Sequence, residues 1–229
     1  MRVLLFCDDQ YHLGQISIDG IEPLKAKGFV IDVVRDGTNF NPEQLTDYAV
    51  VVMSKCDHIT HDNTNSWKSS IIQTALVDYV ERGGGLLVVH SGTVAGQDTE
   101  KLDMLIGCRF TFHPNDCPVT VGALKPHPIT EGVNVFCEVD EHYHIEILAN
   151  DINVLTASYA PAQGDENKYE SEPYFNFPAF ITPSCYVRTQ GKGRVCVLTP
   201  GHTLKVWLNA DFQQLLENSL FWCSGIATH

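Results

Sequence analysis

Five histidines, His12, His58, His61, His90 and His202, each fall just after a short apolar run. An imidazole has an ordinary pKa of about 6.5, so it gives and takes protons near neutral pH, and its neutral form ligates divalent metals. Apolar runs of this length read as buried strands, and in a parallel sheet their carboxyl ends share one edge, where ligands gather. The five imidazoles are therefore expected to meet in one pocket. His58-x-x-His61 brings two rings within reach of one ion if the loop turns helically. With His90 and His202 that pair makes the expected metal set, His58, His61, His90 and His202. The ion expected there is a divalent metal such as zinc, which polarises a carbonyl or activates water.

Carboxylates complete the chemistry. Asp140 and Glu141 are adjacent, and on a strand they point to opposite faces, so only one faces a pocket. Glu141 joins His90 and His202 as the expected catalytic groups, while His12, His113, Tyr143 and Ser91 are expected to contact substrate. Asp8 is expected to orient a neighbouring imidazole. His142-x-His144 reads either as a ligand pair or as a solvated polar face. Ser91 stands at a strand–turn–helix elbow, but Val89-His90-Ser91-Gly92 lacks the glycine two residues before the serine that presents such nucleophiles. The three glycines 83–85 precede their strand, whereas a phosphate-cradling loop follows its strand, so no nucleotide cofactor is expected.

The elements that must position these groups follow from periodicity. Apolar runs predict strands over 3–6, 29–34, 48–53 and 86–89, with helices over 17–27 and 66–82 and at most a short helix from 41. Pro23 sits awkwardly inside the first helix. The order β-α-β-(short α)-β-α-β means a parallel sheet with right-handed crossovers. After a helix over 100–106 the chain changes character. Short candidate strands lie at 109–113, 118–123, 135–139 and 152–157, then a hairpin over 185–189 and 193–199, and a last helix over 210–222. Segment 161–178 has no periodicity and reads as a long loop over the sheet, either a lid or a plain surface loop.

With 229 residues, one domain over 1–229 with an added β-rich portion is the simplest account. A net charge of −13 argues against nucleic acid or an anionic membrane as partner, since both require clustered Lys and Arg. The eight cysteines are scattered, without a CxxC pair, and several lie in apolar runs as small hydrophobes. No secretory h-region and no apolar run of about 18 residues is visible, which points to a reduced, cytoplasmic protein.

Many pieces in one order carry a resemblance. They are Cys7-Asp8-Asp9-Gln10-Tyr11-His12, the His58 loop, 83–92, Gly107-x-x-Phe110-x-x-His113-Pro114 and His127-Pro128-Ile129-Thr130. The later ones are Asp140-Glu141-x-Tyr143, Gly191-Lys192-Gly193-Arg194-Val195, Pro200-Gly201-His202 and the helix closing at Trp222. The chain resembles the ThuA-like, trehalose-utilisation family of the class I glutamine amidotransferase-like superfamily. That resemblance implies a flavodoxin-like three-layer sandwich with a mostly parallel central sheet, and a role in carbohydrate metabolism. In the superfamily the elbow after the central strand carries a cysteine nucleophile. Here His90 stands at that elbow, so glutaminase activity is not expected, and His202 falls near the superfamily's catalytic histidine. The expectation is an enzyme, a sugar isomerase or hydrolase acting on a sugar or keto-sugar and able to form a homo-oligomer. The alternative is a non-catalytic sugar-binding or regulatory module, with Tyr11, Tyr143, Tyr174, Phe175 and Phe177 available to stack on sugar rings.

Overall fold

Successive side chains on a strand point to opposite faces, and the apolar runs of this chain fill both. The computed structural model describes residues 1–162 and 179–226. In it, β1 (Arg2–Cys7) sends Val3, Leu5 and Cys7 into one core and Leu4 and Phe6 into another. The chain then runs through α1 (Gly14–Ile21), β2 (Val30–Val34), β3 (Val50–Ser54), β4 (His58–Thr60), β5 (Asn63–Ser66) and α2 (Ser70–Glu81). Next come β6 (Gly85–Val89), α3 (Glu100–Ile106), β7 (Cys108–Phe112), β8 (Cys117–Ala123), β9 (Phe136–Asp140) and β10 (His144–Ile147). The last elements are β11 (Asn153–Ala160), β12 (Phe180–Gln190), β13 (Gly193–Leu198), α4 (Leu204–Leu208) and α5 (Ala210–Ser224).

Nine strands form one sheet in the order β2-β1-β3-β6-β13-β12-β11-β8-β9. From β2 to β13 every pairing is parallel, and from β13 to β9 every pairing is antiparallel. Ile21 and Leu24 with Phe212, Leu215, Leu216 and Leu220 of α5 cover one face; Ile72, Leu76 and Val80 of α2 with Leu102 and Leu105 of α3 cover the other. This is the expected three-layer α/β sandwich. The β-rich portion does not stand apart, because the β12–β13 hairpin reverses the chain and carries the same sheet onward. Gly85 opens β6 where a Cβ would lie 2.5 Å from the Cys223 carbonyl oxygen, and a Cβ on Gly84 would lie 2.3 Å from the Tyr79 ring, so these two glycines serve close packing of α5 and α2.

Some elements differ from expectation. α1 starts at Gly14, and Pro23 then sits in the first turn of a tighter 3-10 segment, Glu22–Lys27, where its missing N–H is harmless. The polar stretch after β3 is a β4–β5 hairpin rather than a loop. α4 has too few residues to show a period. Most of the expected lid segment, 163–178, with Tyr174, Phe175 and Phe177, lies outside the described residues. Among the described residues no helix is long and apolar enough to cross a membrane.

Candidate metal centre

The carboxyl ends of β1, β6 and β13 lie on one edge, since Phe6 pairs with Met53, Met53 with Val88 and Leu198 with Val89 in register. Each end delivers one histidine. After β1, the Asp9 carboxylate folds the loop: its Oδ1 accepts from the backbone N–H of Tyr11 and of His12, both at 3.0 Å. The same oxygen takes His12 Nδ1 at 2.8 Å, and Oδ2 accepts from the Cys56 N–H at 2.9 Å, tying the β1 and β3 loops together.

After β6, His90 adopts a φ of +46°, a left-handed conformation rare for a residue with a Cβ and often found at functional sites. It is 1% exposed, and its Nδ1 lies 2.7 Å from the Thr199 carbonyl oxygen. Gly92 makes this elbow possible: a Cβ there would stand 2.1 Å from the Met53 oxygen. After β13, buried Asp140 accepts from the N–H groups of Gly201 and His202 at 2.9 and 2.8 Å, which fixes the His202 backbone. Asp140 ends β9, and the next residue is Glu141.

Glu141 Oε2 lies 3.2 Å from His90 Nε2, 3.2 Å from His202 Nδ1 and 3.9 Å from His12 Nε2. One ligand atom from each of His12, His90, Glu141 and His202 lies within 4.8 Å of every other. Metal–ligand bonds of about 2.0–2.2 Å bring ligand atoms to such separations after a small contraction.

Tautomers decide what the group needs. A carbonyl oxygen only accepts, so His90 Nδ1 is the donor to Thr199; the Asp9 carboxylate likewise makes His12 Nδ1 a donor. A neutral ring with its proton on Nδ1 presents a lone pair on Nε2. In neutral rings both Nε2 lone pairs would therefore face Glu141 Oε2, itself an acceptor. His202 Nδ1 is buried and, though 3.2 Å from that oxygen, is not aligned for a hydrogen bond. Lone pairs converging in this way repel unless positive charge stands between them. A proton meets part of that need and a divalent cation meets all of it, so the donor set fits a metal.

The electrostatics divide the two rings. Burial pushes His90 down to about 4, toward a neutral ring. Burial would also lower His12, but hydrogen bonds with Asp9 and Glu141 outweigh it and raise the ring to about 9, so without a cation a proton on His12 Nε2 stands between it and Glu141, and a metal ion would have to displace that proton. Burial alone would raise Glu141, yet its contacts with His12, His202 and His90 hold the carboxyl well below the usual range. Tyr143 stacks on His90 with ring centroids 3.7 Å apart, its hydroxyl 3.4 Å from His12 Nε2; burial raises its pKa, so it remains a donor.

Of the residues expected to ligate metal, His90 and His202 stand in this group, whereas His58 and His61 stand outside it. His58 is on strand β4 and its ring lies 5.6 Å from that of Tyr11; His61 Nδ1 approaches the Asp9 carbonyl oxygen at 3.3 Å. An x-x spacing makes two rings converge on a helix, and this stretch is a strand and a turn. Glu141 is central. His12, expected to touch substrate, is one of the four converging groups. His113 Nε2 lies 3.4 Å from the other Glu141 oxygen, Oε1. Ser91 is 1% exposed inside the 3-10 turn His90–Thr93, its hydroxyl without a partner, so it offers no surface for a substrate and no base to activate it. Asp8, expected to orient an imidazole, instead accepts from the Gly14 N–H and faces Arg35. Asp9 takes the orienting role; its spacing three residues before His12, which permits an Asx-type turn, was the available signal.

The sequence model of the family described as trehalose utilisation, ThuA, matches residues 2–223. No curated protein matches the chain. Among solved structures, a ThuA-like protein from Bacteroides uniformis is 21% identical with a TM-score of 0.68, covering 97% of this chain and 91% of its own. A ThuA-like protein from Parabacteroides merdae is 16% identical with a TM-score of 0.71, covering 100% and 92%. A beta-galactosidase from Rahnella sp. R3 shares the fold at 14% identity and a TM-score of 0.60, over 95% of this chain but 31% of that one. At these identities the likeness is one of fold.

Proposed function

The chain belongs to the ThuA, trehalose-utilisation family, and from that premise we propose that it is an enzyme acting on a sugar or keto-sugar at the His12–His90–Glu141–His202 centre. The observation that carries this reading is the convergence of three histidine ring nitrogens on one oxygen of a buried carboxylate. These four residues would hold a divalent ion, which would supply Lewis-acid chemistry at a sugar oxygen or at water. Three imidazoles and a carboxylate suit zinc and neighbouring first-row ions.

The remaining work falls to the chain itself. Asp9 and the Thr199 carbonyl hold His12 and His90 in one tautomer, which keeps the donor set pre-organised. Chemistry at a keto-sugar requires a group that gives and takes a proton near the reacting carbons. The Tyr143 hydroxyl, beside His12, and the His113 ring, beside Glu141 Oε1, are the nearest candidates for that role. Covalent glutamine hydrolysis is not part of this reading, because the elbow carries His90 and not a thiol. Burial pushes the neighbouring thiols of Cys7 and Cys56 up to about 12, so neither offers a thiolate.

Metal analysis of purified protein, followed by turnover assays on native disaccharides and their keto counterparts, tests the reading. It expects one divalent ion per chain, with turnover lost on chelation and regained on reloading. Saturable sugar binding without product, metal-loaded or not, would replace the enzyme with a binding module.

A further inference from the structure

A cleft of about 600 Å³ opens beside the centre, within the size range of small-molecule sites. It is lined from the loops after three adjoining parallel strands: Tyr11 after β1, His58 and the β4–β5 hairpin after β3, and Gly96 and Gln97 beyond β6. Strand order turns outward at β1 and β3, with β2 on one side and β6 on the other. Such a switch point is where open α/β sheets take their ligands.

The lining is specific in chemistry. Tyr11 is 65% exposed, yet its ring is held near His58 and its backbone is fixed by Asp9. It is a pre-set aromatic platform rather than a core residue. The side chains of Thr64, Asn65 and Gln97 form no hydrogen bond among the described residues, and His58 Nδ1 is a buried ring nitrogen without a partner. Among the described residues no lysine or arginine lines the cleft, and the nearby Lys68 Nζ is engaged 3.1 Å from the Val94 carbonyl oxygen. The lining Asp57 carboxylate is buried, with Oδ1 accepting from Ser66 Oγ and the Lys68 N–H. An aromatic face with free amides and hydroxyls, and no available cation, suits an uncharged, hydroxyl-rich ring and disfavours a phosphorylated one.

The cleft and the centre are joined through adjacent residues. Tyr11 precedes His12, and their rings are 6.4 Å apart. We propose that this cleft is the subsite for a second, uncharged sugar ring, so that the substrate is a glycoside with one unit on Tyr11 and the adjoining unit at the centre. The assignment rests on the carbohydrate reading above.

Equilibrium titrations of metal-loaded protein with glucose, trehalose, maltose and trehalose 6-phosphate test it. The expectation is that an unmodified disaccharide binds more tightly than glucose and than the phosphorylated sugar. Tyr11→Ala and Gln97→Ala each weaken disaccharide binding about 3- to 10-fold, the scale of one stacking or hydrogen-bond contact. Both leave glucose affinity and metal content unchanged, and Tyr11→Phe retains the disaccharide affinity. Equal weakening for glucose and disaccharide, no weakening for either, or preference for the phosphorylated sugar would overturn the subsite while leaving the carbohydrate reading intact. If metal-loaded wild-type protein binds none of the sugars, both fall together.

Discussion

His12, His90 and His202 close on a carboxylate, whereas His142 and His144, also buried, close on hydroxyls and aromatic rings. His142 Nε2 lies 3.1 Å from both Ser158 Oγ and Thr182 Oγ1. His144 stacks on Phe112 at 4.2 Å and meets the edge of Phe180 at 4.7 Å. Each region also holds a buried ring nitrogen without a partner, so an orphaned nitrogen does not by itself make a metal centre. Burial lowers His142, and lowers His144 to about 4, as it lowers His90. The difference is Glu141. Neutral imidazoles among hydroxyls have donors to accept from, while imidazole nitrogens aimed at a carboxylate call for a proton or a cation between them.

That contrast can be broken by removing the charge and keeping the shape. Glu141→Gln is expected to weaken divalent-metal binding by more than about 100-fold in a metal titration, with the fold intact by circular dichroism. An unchanged affinity would make the two histidine groups equivalent. Asp9→Asn leaves all four ligands in place but frees the His12 tautomer, and the loss of this outer contact is expected to cost about 10- to 100-fold in metal affinity. Wild-type affinity in this variant would mean that the tautomer lock has no role.

Smaller effects sharpen the comparison from the other side. His142→Ala removes one hydrogen-bond partner each from Ser158 and Thr182, which still bond each other, and opens a cavity, and denaturant unfolding should show about 1–3 kcal/mol of lost stability. Metal affinity measured on the same protein should stay within about twofold. His58→Ala is expected to change metal affinity least, because the ring lies toward Tyr11 and outside the converging group. A metal loss comparable to that of Glu141→Gln would return His58 to the ligand set.

The strands and the edge they share were legible because β-branched runs ending in polar residues carry a strong period. His90 and His202 follow such runs directly, and Glu141 follows a strand end, so each could be placed before any coordinates. The His58–His61 pair could not, since the spacing converges only on a helix and the polar β4–β5 hairpin has no apolar alternation to announce it. The lock on His90 was invisible for a different reason: its partner is the Thr199 backbone carbonyl, a group every residue has. Asp8 and Asp9 are identical in type, and only the turn geometry decides which one reaches His12. Sequence therefore located the site's edge but not the tautomers that define its chemistry.

Anomalous diffraction from crystals soaked in a zinc salt would locate a bound ion among the histidines. One dominant peak is expected, bounded by His12 Nε2, His90 Nε2, His202 and Glu141. A dominant peak at His58 and His61 or at His142 and His144, or an empty centre at saturating zinc, would contradict that expectation.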